Sequence, residues 1–235
     1  MKSNPPSLEP HWFLTRRNAG AAAVAALAVG GSARAQVKLA AADGRFAPRR
    51  HEKDDWLDQV PGQHRLVFDS TTPDSLAQAI FFANNFMRVN RSDYGLQNSE
   101  LAVVIVVRHR SAPFGYSDAM WAKYGTAAAA HAAFEDPRSK AVPKANVFNS
   151  ADYGNLMPNR GTTIDALAKQ GVQLAVCSSS TRAVAGAIAR ATGGDTDAIF
   201  SEITSNLVSN ARMVPAGIVT VTRAQERGYS LVSNY

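Results

Sequence analysis

Leu101–Val107 reads Leu-Ala-Val-Val-Ile-Val-Val, seven apolar residues in a row with no alternation. A strand wet on one side alternates apolar and polar side chains. A strand with no polar side must be covered on both, which places it in the middle of a parallel sheet. Four further short runs read as strands on either side of it: Arg65–Phe68, Val172–Cys177, Arg212–Val214 and Tyr229–Val232.

Helical stretches alternate with these strands. Pro73-Asp74 opens one that carries Leu76, Ala79, Ile80, Ala83, Phe86 and Met87 at the 3.6-residue period, with Ser70, Thr71 or Thr72 as its cap. Thr163–Gln170, ended by Gly171, is a second. Thr181–Ala191, Asp197–Ser209 and a short Val219–Arg227 follow. Strand–helix alternation with short connections gives an α/β fold, a three-layer α/β/α sandwich around a parallel sheet. The exception is the connection over residues 108–162. A link that long in a compact domain is usually functional or an oligomer contact. Within it Tyr116, Trp121 and Tyr124 stand at roughly helical spacing and suit packing better than a ligand wall.

Ahead of the domain, Thr15-Arg16-Arg17-Asn18 precedes an Ala/Gly/Val run over residues 19–31 and then Ala33-Arg34-Ala35. This is a charged segment, a mildly apolar core and a small-x-small cleavage site, the order of an export signal. The run is shorter than the ~18–20 residues that span a bilayer. Its paired arginines resemble the twin-arginine (Tat) signal, although Ala19-Gly20 stands where that motif has a large apolar pair. Residues 1–35 are therefore expected to be a Tat-type signal peptide, and the protein to be periplasmic or otherwise exported, with no membrane span once the signal is removed. Residues 36–62 read as an arm or linker that Trp56 can dock on the core or on a neighbouring subunit. Residues 63–235 form the domain.

This division changes the meaning of the charge. The 235 residues carry a formal charge of +6, but Lys2, Arg16, Arg17 and Arg34 against Glu9 account for half of it. The remaining +3 gives little support to nucleic-acid binding. With one Cys there is no intramolecular disulfide, no dithiol motif and no Cys-built zinc site. His51, His64 and His131 are scattered without metal-ligand spacing, and GxSxG, HExxH and GxxxxGK[ST] are absent. No cofactor is expected.

In open α/β sheets, ligands bind outside the carboxyl ends of the strands. Three such ends carry chemistry: Asp69-Ser70-Thr71-Thr72, Arg108-His109-Arg110-Ser111 and Cys177-Ser178-Ser179-Ser180-Thr181-Arg182. The third runs from strand to helix. A Cys there meets the positive end of the helix dipole and free backbone N–H groups, and both favour thiolate. Arg108, His109, Arg110 and Arg182 add positive potential if the fold brings them together. The Ser178–Ser180 run either caps the helix or helps its N-terminus hold an anion. A lone Cys is otherwise a small buried hydrophobe.

The strand LAVVIVV followed by RHRSAPFGYSDAMWAKYG, the segment GVQLAVCSSSTRAVAGAIA and the C-terminal MVPAGIVTVTRAQERGYSLV together resemble the DsrE/DsrF-like family of sulfur-relay proteins, over roughly residues 64–235. The resemblance implies a five-stranded parallel sheet, assembly as a trimer or hexamer, and a Cys at the position of Cys177 that takes up sulfane sulfur as a persulfide and hands it to a partner, so that a sulfur donor or acceptor protein is an expected partner. The catalytic candidates are then Cys177, His109 and Arg182, with Ser178, Ser180 and Arg108 binding the anion. Two other readings stand beside this one: a non-catalytic module binding a small anion or cofactor in the same crevice, and a subunit that docks a partner enzyme through residues 36–62 or 135–160.

Overall fold

The computed structural model describes residues 47–234. The expected signal peptide, and the arm as far as residue 46, lie outside the described residues. In chain order the main elements are α1 (Trp56–Gln59), β1 (His64–Ser70), α2 (Pro73–Tyr94), β2 (Leu101–Val107), α3 (Asp118–Ala132), α4 (Ile164–Ala168), β3 (Gln173–Cys177), α5 (Ser178–Thr192), α6 (Thr196–Thr204), β4 (Ala211–Val214), α7 (Gly217–Gln225) and β5 (Ser230–Asn234). The strands form one five-stranded sheet in the order β4-β3-β2-β1-β5, with every pairing parallel. β2 is its centre, and all seven of its residues are buried.

The strand order dictates where the helices go. Steps from β1 to β2 to β3 to β4 all move the same way across the sheet. Right-handed crossovers therefore put their helices on one face. Alternate strand residues Phe68, Val103, Ile105, Val107, Leu174 and Val176 point to that side and meet α2, α3, α4, α5 and α6. The last crossover runs back from β4 to β5 beyond β1, so α7 lies on the other face. There it packs on Val67, Ala102, Val104, Val106 and Ala175. The fold is thus a three-layer α/β/α sandwich with unequal outer layers.

α2 is the longest element and its start is well marked. Thr72 is the cap: Thr72 Oγ1 accepts from the Ser75 N–H at 3.1 Å and Ser75 Oγ accepts from the Thr72 N–H at 2.9 Å. Pro73 follows at a position where its missing N–H costs nothing.

Three sequence expectations are sharpened or corrected. The arm read over residues 36–62 is in its latter part integral to the domain. Trp56, Leu57 and Val60 are buried in the core of the α7 face. Arg212 lies over the Trp56 ring at 4.5 Å, and Asp58 pairs with Arg227 at 3.0 Å. Two short helices, α1 and α7, share the cover of that face. The long connection, in turn, is largely folded onto its own domain. Phe114 packs on Trp121, Phe134 and Phe148 with ring centroids 4.8–5.2 Å apart. Buried Asn146 donates to the carbonyls of Phe114 and Tyr116. Finally, α6 stops at Thr204 rather than Ser209, because Leu207 bridges to Tyr116 and Val208 donates to the Gly115 carbonyl.

Candidate functional site

β3 and β4 are neighbours, with Cys177 beside Val214 in the register. The chain leaves β3 into α5 on one face and leaves β4 toward α7 on the other. Adjacent strands whose connections part to opposite faces open a crevice at their carboxyl ends. Cys177 stands in that crevice. It is the residue immediately before α5, and Gly217 begins α7.

The sulfur therefore faces two helix N-termini. Burial pushes the Cys177 thiol up, but hydrogen bonding from the Ser180 hydroxyl and from the backbone N–H groups of Gly217, Ser180 and Ser179 outweighs it and holds the thiol below its ordinary range. No tight N-cap bond closes on the Cys177 side chain. The N–H groups act on the sulfur as dipoles pointed at a developing negative charge. Cys177 is only 5% exposed, so the sulfur lies at the floor of the crevice.

Gly217 makes the close approach possible. A Cβ there would lie 2.7 Å from the Arg108 Cβ and 3.0 Å from Val106 Cγ1. Any larger residue would push the start of α7 away from β2, and with it one of the N–H groups at the sulfur. On the other side Ser179 Oγ donates to the Pro215 carbonyl at 3.3 Å, tying α5 to the β4–α7 loop.

The expected cationic side chains are arranged otherwise. Arg108 does lie beside the crevice, against Gly217, but its guanidinium forks onto Asp69 with two bonds of 2.8 Å. Asp69 is buried, so this is a charge pair set into the ends of β1 and β2. Arg182 reaches toward α6, where it pairs with Asp197 at 2.6 Å and covers the Phe200 ring at 4.3 Å. That pair is largely exposed. His109 contributes its backbone. It adopts the left-handed conformation with φ of 55°, and its N–H donates to Ser180 Oγ at 2.8 Å. Ser178 lines an adjoining cavity of about 410 Å³ with Lys53, Phe200, Met213, Val214 and Pro215. Of the six predicted site residues, Cys177, Ser180 and the His109 peptide are joined, Arg108 and Ser178 border them, and Arg182 is engaged elsewhere.

Gly217 is a site residue that the sequence reading does not single out. Gly217 lies in the Pro-Ala-Gly segment at the end of β4, and its place at the sulfur follows only once β4 is known to neighbour β3. Among the described residues no cluster of His, Cys, Asp and Glu gathers as a metal site, and no helix is long and apolar enough to cross a membrane.

No family model matches the chain. No curated protein matches it either. Among solved structures it is similar to the protein of unknown function MTH1491 from Methanobacterium thermoautotrophicum, over 73% of this chain and 100% of that one, at 15% identity and a TM-score of 0.37. A likeness that weak carries no argument, and the fold stands on the strand register described above.

Proposed function

We propose that this protein is an exported, DsrE-like sulfur carrier that takes up sulfane sulfur on Cys177 and surrenders it to another molecule. The observation that carries the reading is the place of Cys177 at the floor of the β3–β4 crevice, immediately before α5 and beside the strand that leads to the start of α7, and hydrogen bonding that lowers the thiol supports it. With thiosulfate as donor, the Cys177 thiolate attacks the outer sulfur. A bond forms between Sγ and that sulfur, the bond to the sulfite sulfur breaks, and sulfite leaves with the electron pair. The persulfide anion keeps the negative charge, which the same N–H groups and the Ser180 hydroxyl stabilise. Delivery is the reverse exchange onto an acceptor thiol. No second Cys exists in the chain to resolve the persulfide, so the acceptor is another molecule. The narrow access to Cys177 suits a donor whose reactive sulfur is terminal. Export by the twin-arginine route and assembly as a trimer or hexamer belong to the same proposal.

The depth of the thiol supports a second reading, in which Cys177 is a packing residue and the crevice binds a small anion without chemistry. One experiment separates them. The protein is incubated with thiosulfate or polysulfide and its intact mass is measured. The sulfur-carrier reading expects a gain of one sulfur atom, removed by dithiothreitol and absent in Cys177→Ala. An unchanged mass, together with anion-induced thermal stabilisation that persists in Cys177→Ser, establishes the binding reading instead.

A further inference from the structure

The cavity of about 410 Å³ that adjoins the crevice is walled by four separate segments of the chain. Val214 is the register partner of Cys177, with Met213 and Pro215 on either side of it, and Ser178 follows Cys177 at the start of α5. Phe200 comes from α6, and Lys53 from a short 3₁₀ turn over Glu52–Asp54, ahead of α1. The volume is in the range of small-molecule sites, which are mostly apolar with a few placed polar groups. Here Phe200, Met213, Val214 and Pro215 are the apolar walls, and Lys53 and Ser178 are the polar groups.

The turn that carries Lys53 is fixed in place. The Asp54 N–H donates to the His51 carbonyl at 2.9 Å and the Asp55 N–H to the Glu52 carbonyl at 3.1 Å. Asp54 is buried and faces Arg223 of α7 at 3.6 Å, and Trp56 packs in the core under Arg212. The neighbouring cations are committed: Arg182 to Asp197, Arg223 to Glu226 and Arg227 to Asp58. Among the described residues, Lys53 Nζ has no carboxylate or hydrogen-bond partner, and the Ser178 hydroxyl has no hydrogen-bond partner either. Lys53 is not among the groups that act on the sulfur.

Two open donors at one end of an apolar cavity specify a ligand. The ammonium and the hydroxyl call for an anionic group. The remaining walls call for an apolar body. An inorganic anion has nothing to lay against Phe200 and Met213. A nucleotide brings several negative charges to a single ammonium. A singly charged organic acid meets both demands. We propose that this cavity binds a small organic carboxylate, its charge on Lys53 and Ser178 and its apolar body against Phe200, Met213 and Pro215. One consequence rests on the sulfur-carrier reading: the small thiol that exchanges sulfur with Cys177 is one that bears a carboxylate, and Lys53 selects it.

The probes are hydrocinnamate, which has the charge and the apolar body but no sulfur, and its neutral counterpart hydrocinnamamide. Protein labelled with ¹³C at the methionine methyls is titrated with each, and the Met213 signal, identified through Met213→Leu, reports the cavity. Hydrocinnamate is expected to shift that signal to saturation, and hydrocinnamamide to bind about three- to tenfold more weakly, the effect of one charged contact partly open to water. Lys53→Met, which keeps the apolar stem, weakens hydrocinnamate by the same factor and leaves hydrocinnamamide unchanged, and Lys53→Arg retains the preference for the acid. No shift of Met213, equal affinity for acid and amide in the unsubstituted protein, or an equal effect of Lys53→Met on both overturns the proposal. Alkylation of Cys177 by iodoacetamide, followed as rate against pH, tests the tie to the sulfur. Bound hydrocinnamate slows it, and an unchanged rate at saturation overturns the assignment of the exchanging thiol. Persulfide formation without probe binding removes this inference alone, and Lys53-dependent binding of the acid without persulfide formation removes the sulfur-carrier reading alone.

Discussion

Two polar sites share the carboxyl edge of the sheet, and they are built on opposite principles. At the ends of β1 and β2, the buried Asp69 carboxylate is met by the planar fork of Arg108, charge against charge, with two bonds of 2.8 Å. At the ends of β3 and β4, the Cys177 sulfur is met by backbone N–H groups and a hydroxyl, all of them neutral. The first arrangement completes itself: each ion has its counter-ion, and the geometry is bidentate. The second offers dipoles to a negative charge and carries no full positive charge of its own. A site that gains and gives up an anion is better served by the second kind, because nothing fixed has to be left unpaired when the charge departs. The two also touch, since Arg108 packs against Gly217. The charged site is thus the wall on which the dipolar one is mounted.

The sharpest way to break this contrast is Asp69→Ala. It leaves the Arg108 guanidinium, about one-fifth exposed, without its fork, and the expected loss is about 3 kcal/mol in urea denaturation, the lower end of what breaking a buried pair costs. A loss below 1 kcal/mol would mean the pair is not the support described here. Gly217→Ala comes next. The added Cβ meets backbone-anchored atoms of Arg108 and Val106, so about 1–3 kcal/mol of strain is expected, together with a rise in the Cys177 alkylation midpoint as the Gly217 N–H moves off. Strain without a change in the midpoint would detach α7 from the thiol. Ser180→Ala removes the acceptor of the His109 N–H, and a loss of about 1 kcal/mol is expected, together with slower alkylation at pH 7 by roughly two- to tenfold.

The pH dependence of stability is a smaller effect with a defined sign. The thiol is held lower in the folded chain than in the unfolded one, whose value is about 8.5. The folded state therefore releases its proton first, and its advantage over Cys177→Ser grows as pH rises from the folded value to about 8.5, then levels off. It is lost again as pH falls through the folded value. Parallel urea titrations of the two proteins at several pH values measure it, and a difference flat across that window would contradict a lowered thiol. The smallest effect belongs to Arg182→Ala. Its partner Asp197 is 79% exposed, and the substitution is expected to change stability by no more than about 0.5 kcal/mol and to leave the alkylation profile in place. A shifted profile would return Arg182 to the thiol's surroundings.

The architecture was legible because burial on both faces leaves a mark in one strand alone. Leu101–Val107 has no polar side to present, and a central parallel strand follows. The start of α2 was legible for a similar reason, since Thr72, Pro73 and Ser75 act on their immediate neighbours. The crevice was legible only in part. Cys177 at a strand end, ahead of a helix, is a local pattern. That Gly217 shares its sulfur depends on β4 lying beside β3, and strand order leaves no trace in any one segment. The charges were misjudged for the same reason: Arg108 and Arg182 are near Cys177 in the chain or the sheet, but each had a carboxylate better placed, Asp69 and Asp197, on another element. Helix α6 was read too long because Leu207 continues its apolar period, while in space that side chain belongs to the bridge with Tyr116.

The covering of the α7 face has a kinetic side. Its core joins the beginning of the described chain to its end: Tyr229 donates to the Leu57 carbonyl at 2.7 Å, Arg227 holds Asp58, and β5 pairs with β1. Strands β1 to β4 and the helices between them can assemble as synthesis proceeds, in chain order. The second face cannot close until β5 has left the ribosome and travelled back across the whole sheet. Until then Val67, Val104 and the unpaired edge of β1 stand open to water and to other chains. Closure of this face is accordingly a long-range step, and the interval before it is when the folding chain most needs protection from aggregation.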